Sequence, residues 1–247
     1  MSLSTGRVAY YRARVNDYGQ GDAEVTFWVD KPAPVSNRRN EEVCTEERAR
    51  RDGLNKVRSN RRSRKRIRQA VMSMPATYLW TLTYAENMQD RAQADADFEA
   101  FIDALRERYP SIKGQWTATA ETQKRGAWHW HVVLPVRIPK PVMDNLWHHG
   151  FTFVGGPKRH KGPMKRVQAA YYLAKYVGKA LDEGVTGQHA YKVGRGVVVP
   201  EVTLAFETEA EWLAFVLAFD QAPLLRDDAS GFLGGGWGAT WREKQAS

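Results

Sequence analysis

The sequence predicts an α+β fold whose elements follow one another in the order β-α-β-β-α-β, with further helices at its flanks. Three observations predict it: a run of β-branched and aromatic residues at 78–84, an apolar stripe at helical spacing over 98–109, and two alternating segments on either side of a Lys-Arg-Gly turn at 124–126.

Tyr78-Leu79-Trp80-Thr81-Leu82-Thr83-Tyr84 suits a pleated, half-buried strand, because bulky and β-branched side chains pack well on a sheet surface. Phe98, Phe101, Ile102, Leu105 and Tyr109 then recur at helical spacing before Pro110, giving an amphipathic helix that lies on that sheet. Residues 114–121 alternate as a second strand and residues from 128 to about 136 as a third, and the turn at Lys124-Arg125-Gly126 joins them into a hairpin. Residues 139–149 predict a helix stopped by Gly150, and residues 151–154 a fourth strand. This order is the split pattern of ferredoxin-like and RNA-recognition-type folds, with a central antiparallel sheet.

The flanks are of a different character. Residues 46–70 read as a charged helix that cannot bury a wide face, since most inward positions carry Arg or Lys. Positive charge there is barely interleaved with negative after Arg51, so Arg61, Arg62, Arg64 and Lys65 are candidate contacts to DNA phosphates. After the fourth strand, a loop carrying Lys158, Arg159, His160, Lys161, Lys165 and Arg166 feeds positive charge into a helix over 167–181. Residues 1–40 hold strand-like patches such as 25–29, interrupted by Pro32 and Pro34, and read as an irregular leader. Thr208 and Glu211 form a capping-box signature for a helix through residue 219, expected to dock on the core through Trp212, Phe215, Val216 and Phe219. The tail around Gly234-Gly235-Gly236 is expected to be mobile, with Trp237 and Trp241 packing or stacking on bases. The expected division is a leader and basic arm over 1–75, a core over 76–182, and an extension over 183–247 that packs on the core.

At 247 residues the chain can bury a sizeable core. A formal net charge of +9 favours an anionic partner, and basic runs beside aromatics favour nucleic acid over membrane. Cys44 is the single cysteine, so no intramolecular disulfide forms and a reducing interior is expected. No apolar stretch approaches the roughly 18 residues that a membrane helix requires. These features together predict a soluble cytoplasmic protein.

Two constellations bear chemistry. His129-Trp130-His131 places two imidazoles two residues apart in a predicted strand, so both point to one face and can share a metal ion. Glu121, at the end of the partner strand, is close to His129 across the turn and can supply a third ligand, leaving positions open for phosphate oxygens. The bland reading makes one histidine a core residue and Glu121 a surface charge. The absence of paired cysteines argues against a structural zinc site. The second constellation is Tyr172 and Tyr176, four apart on one helical face with Lys175 and Lys179 nearby. A phenol with a pKa near ~10 attacks phosphate only if its proton is removed or its phenolate is stabilised. Lys175 and the metal are candidates for that; the bland reading packs the tyrosine rings in the core.

Taken together, residues 78–84, residues 121–131 (ETQKRGAWHWH) and residues 172–179 (YLAKYVGK) resemble, in that order, the three motifs of the HUH endonuclease superfamily. The specific likeness is to two-tyrosine rolling-circle replication initiators of plasmids and single-stranded DNA phages, over roughly residues 77–181. The resemblance implies that a metal on Glu121, His129 and His131 polarises the scissile phosphate, and that a tyrosine attacks it. The enzyme then stays linked to the 5′ phosphate while the released 3′ hydroxyl primes synthesis. It implies that Tyr172 and Tyr176 alternate, with Tyr172 the favoured hydroxyl to face the metal and Lys175 stabilising charge. The expected metal is Mn²⁺ or Mg²⁺, the expected DNA single-stranded or supercoiled origin DNA, and the expected site of action a bacterial host cell. The chain has no evident Gly-rich Lys-Ser/Thr phosphate loop, so a host helicase and replication machinery are expected partners. Two rival readings are a non-catalytic nucleic-acid-binding module on the same fold, and an HUH-type transposase.

Overall fold

The structure, a computed structural model, describes residues 10–19, 22–30, 45–155, 164–182, 191–220, 224–225 and 236–242. In chain order the elements are β1 (Tyr10–Asp17), β2 (Asp22–Asp30), α1 (Thr45–Met72), β3 (Tyr78–Tyr84), α2 (Arg91–Arg108), a 3-10 turn (Pro110–Ile112), β4 (Thr117–Thr122), β5 (Trp128–Leu134), α3 (Lys140–Leu146), β6 (Gly150–Val154), α4 (Arg166–Asp182), β7 (Tyr191–Val193), β8 (Val202–Phe206), α5 (Glu209–Asp220), β9 (Leu224–Leu225) and β10 (Gly236–Arg242). They divide into two units, residues 43–198 and residues 1–42 with 199–247.

In the larger unit the strands lie in the order β6-β3-β5-β4-β7, and every pairing is antiparallel. Taken without β7, the order is fourth, first, third, second strand of the β-α-β-β-α-β set, the ferredoxin-like arrangement the sequence predicts. Strand side chains alternate between the two faces. Trp80, Leu82, Tyr84, Ala118, Ala120, Trp130, Val132 and Leu134 face one way and form a core with Phe98, Phe101, Ile102 and Leu105 of α2 and Met143 of α3. Trp130 stacks on Phe98 with centroids 4.1 Å apart and planes 19° apart. Because Trp130 is fully buried on this face, its neighbours His129 and His131 must emerge on the other.

That other face is lined by threonines, Glu121 and the two histidines rather than by a second large apolar set. Over it α4 packs along β4 and against α1. The buried residues of α4 are Ala169, Ala170, Leu173, Ala174 and Val177, and those of α1 fall in its last turns at Ile67, Ala70, Val71 and Met72. The first half of α1 is exposed, as its charge requires. Arg61 and Arg62 lie on that solvated face, and Arg64 and Lys65 are half-buried.

The smaller unit corrects the expectation of an irregular leader. Residues 10–30 form a hairpin within a five-stranded antiparallel sheet of order β8-β1-β2-β10-β9. Ala13, Val25 and Phe27 point inward onto Trp212 of α5, while Arg12 and Arg14 form ion pairs with Asp30 and Glu201. The capping box at the start of α5 forms: the Glu211 amide donates to Thr208 Oγ1 at 3.2 Å, and the Thr208 amide donates to Glu211 Oε2 at 3.4 Å. The sheet this helix covers is that of β1 and β8, in its own unit, where the sequence pointed to the core of residues 76–182. Likewise residues 236–242, expected in a mobile tail, pair with β2 as a strand. The side chains of Trp237 and Trp241 lie outside what is described. The expected boundaries at 75/76 and 182/183 do not coincide with the two units, because strands from both chain ends join one sheet.

A second correction concerns Gly150. It does not end a helix. The helix stops at Leu146, its end marked by the Trp147 amide bonding to Met143 O, and Gly150 opens β6. A Cβ at 150 would collide with the carbonyl oxygen of Thr83 and the amide nitrogen of Ala85, so the residue lets β6 approach β3 closely.

Candidate metal centre and its tyrosines

The β4–β5 hairpin sets the register of the site. Gly126, at φ 86°, turns the chain, with its amide donating to Gln123 O at 2.8 Å. Glu121 then lies directly opposite His129, and Thr119 opposite His131. On the other side of β5, Thr83 faces His129 and Thr81 faces His131. Glu121, His129 and His131 are all buried.

Their donor atoms converge. His129 Nε2 and His131 Nε2 are 3.1 Å apart, His129 Nε2 and Glu121 Oε2 are 3.3 Å apart, and His131 Nε2 and Glu121 Oε2 are 3.4 Å apart. Three donors each about 2.1 Å from one ion, at angles between octahedral and tetrahedral, stand roughly 3.0–3.4 Å from one another. The cluster therefore has the spacing of a three-ligand set, and it can bind a metal ion. Thr81 Oγ1 lies 3.0 Å from His131 Nδ1, so an Nδ1–H donated to the hydroxyl leaves the Nε2 lone pair directed at the cluster. His129 Nδ1 and Thr119 Oγ1 are buried beside it without hydrogen-bond partners among the described residues. Burial lowers the pKa of His131, an effect that His129 reinforces and Glu121 opposes. The neutral imidazole that a metal requires is thus the favoured form.

Helix α4 brings both tyrosines to this spot. Tyr176 stacks on His131 with centroids 4.2 Å apart and planes 22° apart, and Tyr172 meets the same ring edge-on at 5.6 Å. The two phenol rings are themselves 5.0 Å apart. The Tyr176 phenol is pushed above its ordinary pKa by burial first, then by a hydrogen bond with Tyr172 and by the negative charge of Glu121. Tyr176 therefore tends to keep its proton and share it with Tyr172. Lys175 is exposed on the same helix, one residue before Tyr176. The third tyrosine of the run, Tyr171, points elsewhere, with the Arg68 guanidinium over its ring at 5.5 Å.

Of the residues expected to contact DNA, Arg61, Arg62, Arg64 and Lys65 lie on α1. Lys165 is exposed just before α4, and Arg166 donates to Met72 O at 3.1 Å, which ties α4 to the end of α1. Lys158, Arg159 and Lys161 lie outside the described residues. Sequence reasoning missed Thr81 and Thr119, because only the pairing of strands distant in sequence places them around His131. No helix among the described residues is long and apolar enough to cross a membrane.

Residues 77–181 match a family model of replication-associated proteins, the ORF2 type. The matched segment runs from the start of β3 to nearly the end of α4 and so contains the acidic residue, both histidines and both tyrosines. The match supports a role in DNA replication as an initiator, with DNA as the partner and endonuclease activity in general. No curated protein and no solved structure matches the chain.

Proposed function

We propose that the chain is an HUH-type, two-tyrosine endonuclease that nicks and rejoins single-stranded origin DNA to start rolling-circle replication. The observation that carries this reading is the convergence of Glu121, His129 and His131 with the Tyr172 and Tyr176 rings on one sheet face, inside the segment similar to replication-associated proteins.

In this reading Glu121, His129 and His131 hold Mn²⁺ or Mg²⁺, of which the two imidazoles favour manganese and the carboxylate suits both. When bound, the cation supplies Lewis-acid polarisation of a phosphate. Tyr172 Oη attacks phosphorus, forming a tyrosyl–phosphate bond as the bond from phosphorus to the 3′ oxygen breaks. The phenol proton leaves to water, and the 3′ oxygen gains one to become the hydroxyl that primes synthesis. Tyr176, holding its proton, donates to Tyr172 and stabilises its developing phenolate. Its own turn comes in the second transfer, when the strand is rejoined. Lys175 adds positive charge near both phenols. The basic side of α1, from Arg61 to Lys65, with Lys158, Arg159, Lys161, Lys165 and Arg166, holds the DNA backbone without specifying sequence. The setting is the cytoplasm of a bacterial host whose helicase and polymerase extend the nicked strand.

The test is mass spectrometry of protein incubated with single-stranded or supercoiled DNA of its own replicon and Mn²⁺. A covalent adduct carrying a 5′ phosphate on Tyr172 or Tyr176, abolished by EDTA, is the expected product. Tyr172→Phe lowers its yield, and His131→Ala abolishes it while DNA binding persists. Binding that ignores EDTA, with no adduct, would favour a non-catalytic module. Full cleavage by His131→Ala in Mn²⁺ would remove the metal assignment.

A further inference from the structure

Two of the most exposed large apolar side chains among the described residues lie on one strand. Phe151 is 61% exposed and Phe153 is 56% exposed, and the proposed reaction gives neither a role. They alternate with Thr152, which is buried and bonded to Asp144, so both rings stand on the same side of β6. The strand register fixes which side. Phe151 pairs with Thr83, Thr83 with His129, and His129 with Glu121; Phe153 pairs with Thr81, Thr81 with His131. Directly paired residues share a face, so both phenylalanines lie in the same cross-sheet rows as the metal-binding cluster.

The rows also give distances. Adjacent strands are roughly 4.8 Å apart, so β6 stands about 10 Å from β5, and residues two apart on a strand are separated by roughly 7 Å. The site thus runs from buried Glu and His on β4 and β5, past the threonines of β3, to two exposed rings on β6. Helices α4 and α1 pack along β4 and β7, at the opposite side of this sheet. At the hairpin end of the sheet, exposed Arg125 is held over the end of β3 by a 2.7 Å bond to Tyr84 O. A cation-binding cluster for a phosphate, a guanidinium beside it and two rings a couple of strands away form a graded surface. Such a surface fits a polyanion with flat apolar appendages.

From this we infer that Phe151 and Phe153 form a stacking platform for two unpaired bases of the DNA strand whose phosphate sits at the Glu121, His129 and His131 cluster. Stacking on an aromatic face is sequence-tolerant and available only to bases out of a duplex. The platform therefore selects single-stranded DNA and anchors the strand beside the phosphate to be cut. Its role rests on the reading of this sheet face as a single-stranded DNA site, and it adds to that reading the residues that discriminate strand state.

The experiment measures binding in EDTA, where no cleavage occurs, so its outcome is separable from the nicking reaction. The full-length protein is titrated with a fluorescent oligo-dT of about 20 nucleotides and with a duplex of the same length. The variants are Phe151→Thr/Phe153→Thr, which removes both rings but keeps β-branched residues on the strand, and Phe151→Trp/Phe153→Trp, which keeps two aromatic faces. The threonine pair is expected to bind oligo-dT at least about 10-fold more weakly, with duplex binding changed by less than about twofold and the tryptophan pair close to wild type. A 2-aminopurine placed in the oligonucleotide is expected to be quenched by the wild type and not by the threonine pair. Unchanged oligo-dT affinity in a threonine variant with wild-type circular dichroism overturns the inference, even if the wild type forms its tyrosyl adduct. Conversely, the 10-fold loss in a protein that never forms an adduct keeps the platform and removes the nuclease reading. Should sedimentation show a wild-type dimer that the threonine pair converts to monomer while oligo-dT affinity holds, the rings bind a second copy and the inference fails.

Discussion

At the scale of single residues, the centre is shaped as much by Trp130 and Thr81 as by its ligands. Trp130 has one place to go, the core beside Phe98, and its burial turns His129 and His131 together toward Glu121. Thr81 acts through His131 by fixing which ring nitrogen carries the proton. Thr81→Val, nearly isosteric but without the hydroxyl, is therefore expected to weaken Mn²⁺ binding by about 10–100-fold. Thr81→Ser should restore most of it. Calorimetric titration checks both, and equal affinity in wild type and Thr81→Val would show that the hydroxyl does not orient the ring. The pair of histidines was legible in the sequence because a spacing of two on a strand fixes their common face. Glu121 was legible because a short turn fixes who stands across from whom. Thr81, Phe151 and Phe153 were not, since their relation to the histidines depends on β3 and β6, whose pairings no local pattern records.

At the scale of elements, the strongly periodic segments were readable and the weakly periodic ones were not. β3, α2 and the β4–β5 hairpin fall within a few residues of expectation, each carrying an unbroken apolar period. β1 does not announce itself: Arg12 and Arg14 occupy its outward positions, and its partner β8 lies far along the chain. Gly150 shows a subtler failure. A glycine after a helical segment reads as a helix stop, yet here it relieves a steric conflict between two strands. This difference is testable. A glycine that merely ended a helix would tolerate alanine at a cost of about 1 kcal/mol or less. At a position where the new Cβ meets backbone atoms of Thr83 and Ala85, Gly150→Ala should destabilise by roughly 1–3 kcal/mol. Urea unfolding followed by tryptophan fluorescence measures it. The neighbouring Trp147, whose indole donates to Thr83 O at 3.1 Å, reports on the same contact.

At the scale of the whole molecule, one unit is inserted in the chain between the two parts of the other: residues 1–42 and 199–247 contribute strands to one sheet, and residues 43–198 hold the second. Each unit has its own apolar cluster, centred on Trp130 and Phe98 in the larger one and on Phe27 and Trp212 in the smaller. A unit with its own core is the physical condition for folding alone. Glu121, His129, His131, Tyr172 and Tyr176, with the donors and rings that orient them, all belong to the larger unit. A fragment of residues 43–198 is therefore expected to fold cooperatively and to bind Mn²⁺ within about threefold of the full chain. A metal that binds only the folded form raises stability by RT ln(1 + [L]/Kd), so saturating Mn²⁺ should raise the fragment's melting temperature as it does that of the full chain. Glu121→Gln in the fragment should remove most of that rise, because it leaves two imidazoles without the carboxylate that completes the set. If the fragment folds but its melting temperature ignores Mn²⁺ while the full chain responds, the ion is bound elsewhere or the site needs the smaller unit. Either result would displace the three-ligand assignment on which the catalytic reading stands.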